Sequence, residues 1–394
     1  MAGATFTPRE MIARLVAFDT VSSNSNLALI DFVADYLDGH GIACRLFRDP
    51  SGDKANLYAT LGPEGPGGVV LSGHTDVVPV AGQDWRTDPF QLTEADGRLY
   101  GRGSCDMKGF IGAALALVPE FLARPLRTPV HLALSYDEEL GCRGVPGMIA
   151  GIVEELPMPG LVIVGEPTEM TVANAHKGVY GFATEVTGLE GHSSMPERGA
   201  SAILAAARIV GFLDDLAAEL RQSGPRDAAF DPPWTTMNVG RIDGGTAVNI
   251  VPRTCRIAWE FRPIPAADPA AIRARVERFV ADEVLPALRD AAPDAAIETR
   301  QTCLVEPLAP LAGSPAEALV LHLTGANRTG AVAFGTEAGL FQKAGIPAVV
   351  CGPGSIEQAH KPDEFVTVAQ IDACVAFLRR LCDWVHADPA QRRR

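Results

Sequence analysis

Apolar residues recur along this chain in two rhythms. Over residues 8–16 and 26–37 they return every three or four positions, which predicts two amphipathic helices. Elsewhere they gather into short, nearly continuous runs: Gly68-Gly-Val-Val-Leu-Ser, Pro129-Val-His-Leu-Ala-Leu-Ser-Tyr, Leu161-Val-Ile-Val, Ala331-Val-Ala-Phe and Ile346-Pro-Ala-Val-Val-Cys. Runs of that length predict strands buried on both faces. Residues 108–117 are rich in small apolar side chains and predict a buried helix, and 369–385 predict an amphipathic one. Buried strands alternating with helices imply an α/β layer architecture.

The middle of the chain breaks this pattern. It predicts a strand at 181–186, a long Ala/Leu helix at 200–220, and two half-polar strands near 236–240 and 255–262. A helix at 269–288 and a strand at 295–304 follow, and 222–233 reads as a surface loop. That order is a self-contained β-α-β-β-α-β unit of the two-layer α+β kind. The expectation is therefore an inserted domain over 180–305, within an α/β domain made of 1–179 and 306–394.

Composition narrows the functional classes. The chain has 394 residues, enough for two domains, and is 47% hydrophobic and 21% charged, which is ordinary for a globular protein. Its net charge is −14, which argues against a nucleic-acid-binding surface. The only dense basic run, Arg392-Arg393-Arg394, reads as a solvated tail. The first ten residues lack the basic and then apolar pattern of a secretory signal, and no apolar run approaches the ~18 residues of a membrane span. Eight scattered cysteines, none in a Cys-x-x-Cys pair, predict reduced thiols in a cytoplasmic protein. Cys105 and Cys142 lie near the candidate site in sequence and read as packing residues.

In open α/β sheets, ligands bind beyond the C-terminal ends of the strands. His74 follows the first apolar run, Glu138 and Glu139 the second, and Glu166 the third, and His360 lies in the loop after the last. Asp106 precedes the predicted buried helix, where its carboxylate can also cap the first turn. Taken singly, each has an ordinary reading as a solvated glutamate, a cap or a loop histidine. Together, five distant segments deliver imidazole or carboxylate to one edge of one sheet. Two histidines and three carboxylates suit a pair of Zn²⁺, Co²⁺ or Mn²⁺ ions, with a fourth carboxylate left to handle a proton. Two such ions, ~3.5–4 Å apart, share one carboxylate. Asp76 is expected to accept the second imidazole N–H of His74. The neighbours Glu138 and Glu139 are expected to diverge through alternate side-chain directions at a strand end.

The chain resembles the M20 family of metallopeptidases and amidohydrolases. The resemblance rests on Ser72-Gly-His-Thr-Asp-Val-Val-Pro, Gly101-Arg-Gly-Ser-Cys-Asp-Met-Lys-Gly, Asp137-Glu-Glu-Leu-Gly, Gly165-Glu-Pro-Thr, Gly191-His-Ser-Ser and Ala359-His-Lys-Pro-Asp-Glu, with Phe334-Gly-Thr-Glu-Ala adding to it. It implies a mixed-sheet metallohydrolase domain with an inserted lid and dimerisation domain, a homodimer, and two divalent ions, Zn²⁺ or Co²⁺, per subunit. It also implies a small N-acyl amino acid as substrate. His74 and Glu166 would hold one ion, Glu139 and His360 the other, and Asp106 both, with a cis peptide bond after Asp106. Asp76 and Glu138 would be catalytic, Glu138 as general base. His192 would stabilise the oxyanion, and Asn249 and Arg262 would hold the substrate.

Overall fold

The computed structural model describes residues 3–388; the basic run Arg392–Arg394 and the first two residues lie outside them. The chain divides into two compact units. One comprises Met1–His176, Leu308–Val332 and Thr336–Arg394, the other Lys177–Pro307 and Ala333–Gly335.

An eight-stranded mixed sheet runs through the first unit. Its centre is four parallel strands in the order Val130–Ser135, Val69–His74, Leu161–Pro167 and Ala348–Gly352. All four are buried along their length, as their apolar sequences require. Cys44–Arg48 and Ala55–Leu61 extend one side antiparallel, and Ala173–His176 and Gly330–Val332 extend the other. The flanking strands carry mixed, weakly periodic sequence, and Cys44–Arg48, Ala55–Leu61 and Ala173–His176 were not expected from it.

Helices cover both faces of this sheet. Pro8–Val16, Leu27–Asp38, Lys108–Ala116 and Val368–His386 share one hydrophobic core with it. Lys108–Ala116 is buried at every position, which explains its small, apolar composition. Val145–Glu155 and Ala338–Lys343, not foreseen in the sequence, pack on the opposite face.

The second unit is a four-stranded antiparallel sheet in the order Thr236–Gly244, Thr254–Arg262, Val179–Thr187 and Ala296–Val305. Helices Ala202–Ser223 and Pro269–Phe279 cover one face. The core there is aromatic: Phe182 stacks on Trp259 with ring centroids 4.4 Å apart, and the Trp259 indole donates to Thr184 Oγ1 at 3.0 Å.

Close approach at the C-terminal end of the central strands depends on two glycines. A Cβ on Gly352 would lie 1.9 Å from the Gly165 carbonyl oxygen, and one on Gly165 would lie 2.0 Å from the Phe110 ring. Alanine at position 352 must therefore push the strands apart. We expect Gly352→Ala to cost about 1–3 kcal/mol, the usual range for an overpacked core. Urea denaturation measures this, and an unchanged midpoint would show that the strands separate freely.

Candidate metal centre

Each strand that ends at this edge hands a polar side chain to the space beyond it. His74 closes its strand, and Glu166 sits near the end of the next, one residue past the tight glycine. Asp106 ends the loop before the buried helix. Glu138 and Glu139 occupy a turn after Ser135, and His360 a loop after Gly352. Two groups of three each place one ligand atom per residue within 4.8 Å of one another: His74 with Asp106 and Glu139, and His74 with Glu138 and Glu166.

Asp106 occupies the middle of this set. Its Oδ1 lies 2.9 Å from His74 Nε2, and its Oδ2 lies 3.4 Å from His360 Nε2. His74 Nε2 is also 3.5 Å from Glu166, and His360 Nε2 is 2.9 Å from Glu139. One carboxylate thus turns an oxygen to each of two imidazoles, and each imidazole has a further carboxylate beside it. With both oxygens committed there, Asp106 does not also cap the helix; Met107 occupies that position without a side-chain bond. The Asp106–Met107 peptide bond is cis.

Charge in this space is unbalanced. Burial pushes Glu138 up to about 8, with Glu139 and Asp106 adding to the rise and His74 opposing it. Burial and the Asp106 charge push Glu139 up to about 7. Burial raises Glu166 well above the usual carboxylate range, with Asp106 again contributing. Burial alone would raise Asp106 as well, but hydrogen bonds from His360 and His74 outweigh it and hold its carboxyl well below that range. His360 is pushed up to about 10 by its bonds to Asp106 and Glu139. Crowded carboxylates with interleaved imidazoles form a donor set that fits divalent cations. Burial raises the nearby thiols of Cys105 and Cys142 and keeps them protonated in the cation-free protein.

Two expectations about Asp76 and the glutamate pair need correction. The second imidazole nitrogen of His74 meets the backbone carbonyl of Asp76 at 2.9 Å, whereas the Asp76 carboxylate stands 3.7 Å away. That carboxylate is engaged elsewhere. It accepts the backbone N–H of Glu138 at 3.0 Å and of Glu139 at 3.3 Å, and the Ser22 hydroxyl at 2.7 Å. One residue therefore fixes His74 through its main chain and the glutamates through its side chain. The glutamates diverge by turn geometry and not by strand alternation: the strand ends at Ser135, and Asp137 is left-handed at φ 54°. Lys54 holds Asp137 at 2.5 Å, and the carbonyl of Glu138 accepts from Gly141 and Cys142 to close the turn. Cys142, read as packing only, also donates its thiol to Glu138 Oε1 at 3.3 Å.

The sequence assigns no role to other buried residues around the set, although Glu364 ends the stretch Ala359-His-Lys-Pro-Asp-Glu. Glu364 accepts the backbone N–H groups of Cys105 at 2.9 Å and Asp106 at 3.0 Å, and pairs with Arg102 at 2.6 Å. It thereby anchors the loop that presents Asp106 from 258 residues away. The remaining predicted residues lie in the second unit. His192 pairs with Ile250 in a two-residue ladder, and Ser193 N donates to the Asn249 carbonyl at 3.2 Å. Ser194 N donates to His192 Nδ1 at 3.2 Å, which leaves the proton of the neutral ring on Nε2. Arg262 Nε donates to Glu260 at 2.9 Å.

A model of peptidase family M20/M25/M40 matches residues 70–383. The chain belongs to the M20 family. It is 39% identical over 387 residues to the acetylornithine deacetylase of Myxococcus xanthus, covering 94% of this chain and 96% of that protein. The acetylornithine deacetylase of Pasteurella multocida strain Pm70 is 36% identical over the same shares. Among solved structures, the M20 family metallo-carboxypeptidase Sso-CP2 from Sulfolobus solfataricus superposes with a TM-score of 0.75 at 18% identity, covering 97% of this chain and 99% of that one. That likeness speaks to the fold, a mixed α/β architecture.

The raised carboxylates carry a pH consequence for the cation-free protein. Burial and repulsion from neighbouring carboxylates hold Glu138 and Glu139 above the ordinary carboxylate value in the folded chain. The stability this gives is fully present below the ordinary value and is lost as pH rises through the folded values. We expect chelator-treated wild type to lose thermal stability relative to chelator-treated Glu139→Gln between about pH 5 and pH 8. A difference that stays flat across that window, read by scanning calorimetry, would contradict the charge crowding.

Proposed function

We propose that this M20 protein is a dinuclear-cation amidohydrolase that converts N²-acetyl-L-ornithine and water to L-ornithine and acetate, a step of arginine biosynthesis. The observation that carries the reading is Asp106, with one oxygen toward each of two imidazoles that have their own carboxylates. Its relatives among acetylornithine deacetylases, similar over nearly their whole length, support the acyl group and the amine.

In this reading His74 and Glu166 would hold one ion, Glu139 and His360 the other, and Asp106 would serve both, with Zn²⁺ or Co²⁺ the ions that suit mixed imidazole and carboxylate donors. Bound cations supply Lewis-acid polarisation of the amide carbonyl and make water more acidic. Glu138 takes the proton of the attacking water and returns it to the leaving amine. The Cys142 thiol, donating to Glu138 Oε1, holds its carboxylate in a different direction from that of Glu139, which faces His360. Asp76 acts as a clamp, holding the imidazole and the base together. His192, with its proton on Nε2, has the donor that a developing oxyanion needs. Asn249 and Arg262 hold the substrate, the Arg262 guanidinium by pairing with the substrate's carboxylate.

A homodimer through residues 180–305 completes the reading. Its support is the edge strand Thr236–Gly244 and the exposed apolar side chains Leu204, Ile242, Val248 and Ile250 of the same unit. No helix among the described residues is long and apolar enough to cross a membrane. All eight cysteines are free thiols, which supports the cytoplasm.

The test joins a substrate panel to one variant. We expect N²-acetyl-L-ornithine to be turned over faster than N-succinyl-diaminopimelate, N-acetyl-citrulline or dipeptides. Glu138→Gln should keep two cations by elemental analysis and lose about 10²-fold or more in kcat, the scale of a lost general base. Near-normal turnover by Glu138→Gln would remove the proton role, and preference for another panel member would replace the substrate.

A further inference from the structure

Glu337 lies fully buried at the start of the short helix Ala338–Lys343, and nothing in the proposed chemistry uses it. A buried carboxylate costs several kcal/mol in lost hydration unless other groups compensate. Burial raises its pKa accordingly. Among the described residues no lysine or arginine pairs with it. Its two oxygens instead accept from two serines: Ser72 Oγ at 2.5 Å on Oε1 and Ser135 Oγ at 2.8 Å on Oε2.

The positions of those serines give the carboxylate its meaning. Ser72 stands two residues before His74 on the same strand, so both side chains share a face of the sheet. Ser135 is the parallel-register partner of His74 on the neighbouring strand and is its last residue before the turn that bears Glu138 and Glu139. Gly73 faces the other way, toward Met107 and Ile111. Glu337 thus spans the two strands directly beneath the imidazole, one oxygen to each. The main chain of Ser135 reaches across as well, since its carbonyl accepts from Thr75 N at 2.8 Å and from the Thr75 hydroxyl at 2.7 Å. For stability alone, an apolar side chain in this place would serve as well. Two acceptors on one rigid group do something an apolar side chain cannot: they tie the ends of two strands at a fixed separation.

We infer that Glu337 is a positioning residue: by bridging Ser72 and Ser135 it sets the distance between His74 and the Glu138–Glu139 turn. The inference rests on the hydrolase reading, since the effect is read in turnover. Loss of the bridge lets the strand ends shift by a fraction of an ångström, which moves a cation ligand relative to the base. Groups that hold metal ligands in place from behind typically cost 10–100-fold in metal affinity or activity when removed.

The experiment uses the full-length, cation-loaded protein. We expect Glu337→Gln, which keeps the shape and loses one acceptor, to lower kcat about 10-fold with KM within about threefold, and to release cation more readily to a competing chelator. Ser135→Ala added to Glu337→Gln should lower kcat no further, because both remove the same bridge. Wild-type kcat and cation retention in Glu337→Gln would overturn the inference, as would a fall in melting temperature alone or an additive double variant. If Glu337→Gln does not fold, the single variants Ser72→Ala and Ser135→Ala decide: reduced kcat in both supports the bridge, and wild-type kcat in both overturns it. A wild type without amidohydrolase activity would instead defeat the functional reading on which the inference stands.

Discussion

Negative charge crowded at one edge of a sheet is the constraint on which the rest of this structure depends. Four parallel strands end together, and the side chains that emerge there are carboxylates and imidazoles rather than apolar groups. Burial makes the crowding expensive, since each carboxylate raises its neighbours. Asp106 alone stays strongly acidic, because two imidazoles donate to it. Divalent cations resolve that imbalance, and the arrangement around Asp106 provides a place for two.

Holding such a cluster in place requires support from behind it. Asp76 does this with two chemical groups at once, its carbonyl on His74 and its carboxylate on the amides of Glu138 and Glu139. Glu364 does it for the Asp106 loop and neutralises the buried Arg102 in the same contact. Glu337 does it for two strands. Buried acids behind the candidate ligands therefore outline the site almost as clearly as the candidates do. This is the pattern expected where geometry, and not only stability, has to be maintained.

How much of this was legible in the sequence depends on range. Apolar runs announced the central strands, and polar residues just beyond them announced the site, because strand and ligand are adjacent in the chain. The switch to half-polar strands announced the four-stranded unit, whose sheet buries one face only. The roles of the ligands' partners were not legible, although Glu337 and Glu364 lie in stretches that carry the family resemblance. Glu337 and Glu364 meet Ser72 and Asp106 across more than 250 residues, and no local pattern encodes such pairing. The Asp76 reading failed for a related reason. Spacing put its carboxylate near His74, but a left-handed Asp137 folds the glutamate turn back over it, and two N–H donors take its oxygens. Helix Val145–Glu155 was missed because its Pro, Gly and Ala content looks like connecting chain, although it is anchored through the bond from Asn56 to Gly144.

The most direct measurement of the central claim is calorimetric titration of chelator-stripped protein with Zn²⁺, for the wild type and for Asp106→Asn. The account predicts two equivalents per chain for the wild type and loss of tight binding at both positions in the variant, because one carboxylate serves both. A single equivalent, or an Asp106→Asn variant that still binds two ions tightly, would contradict it.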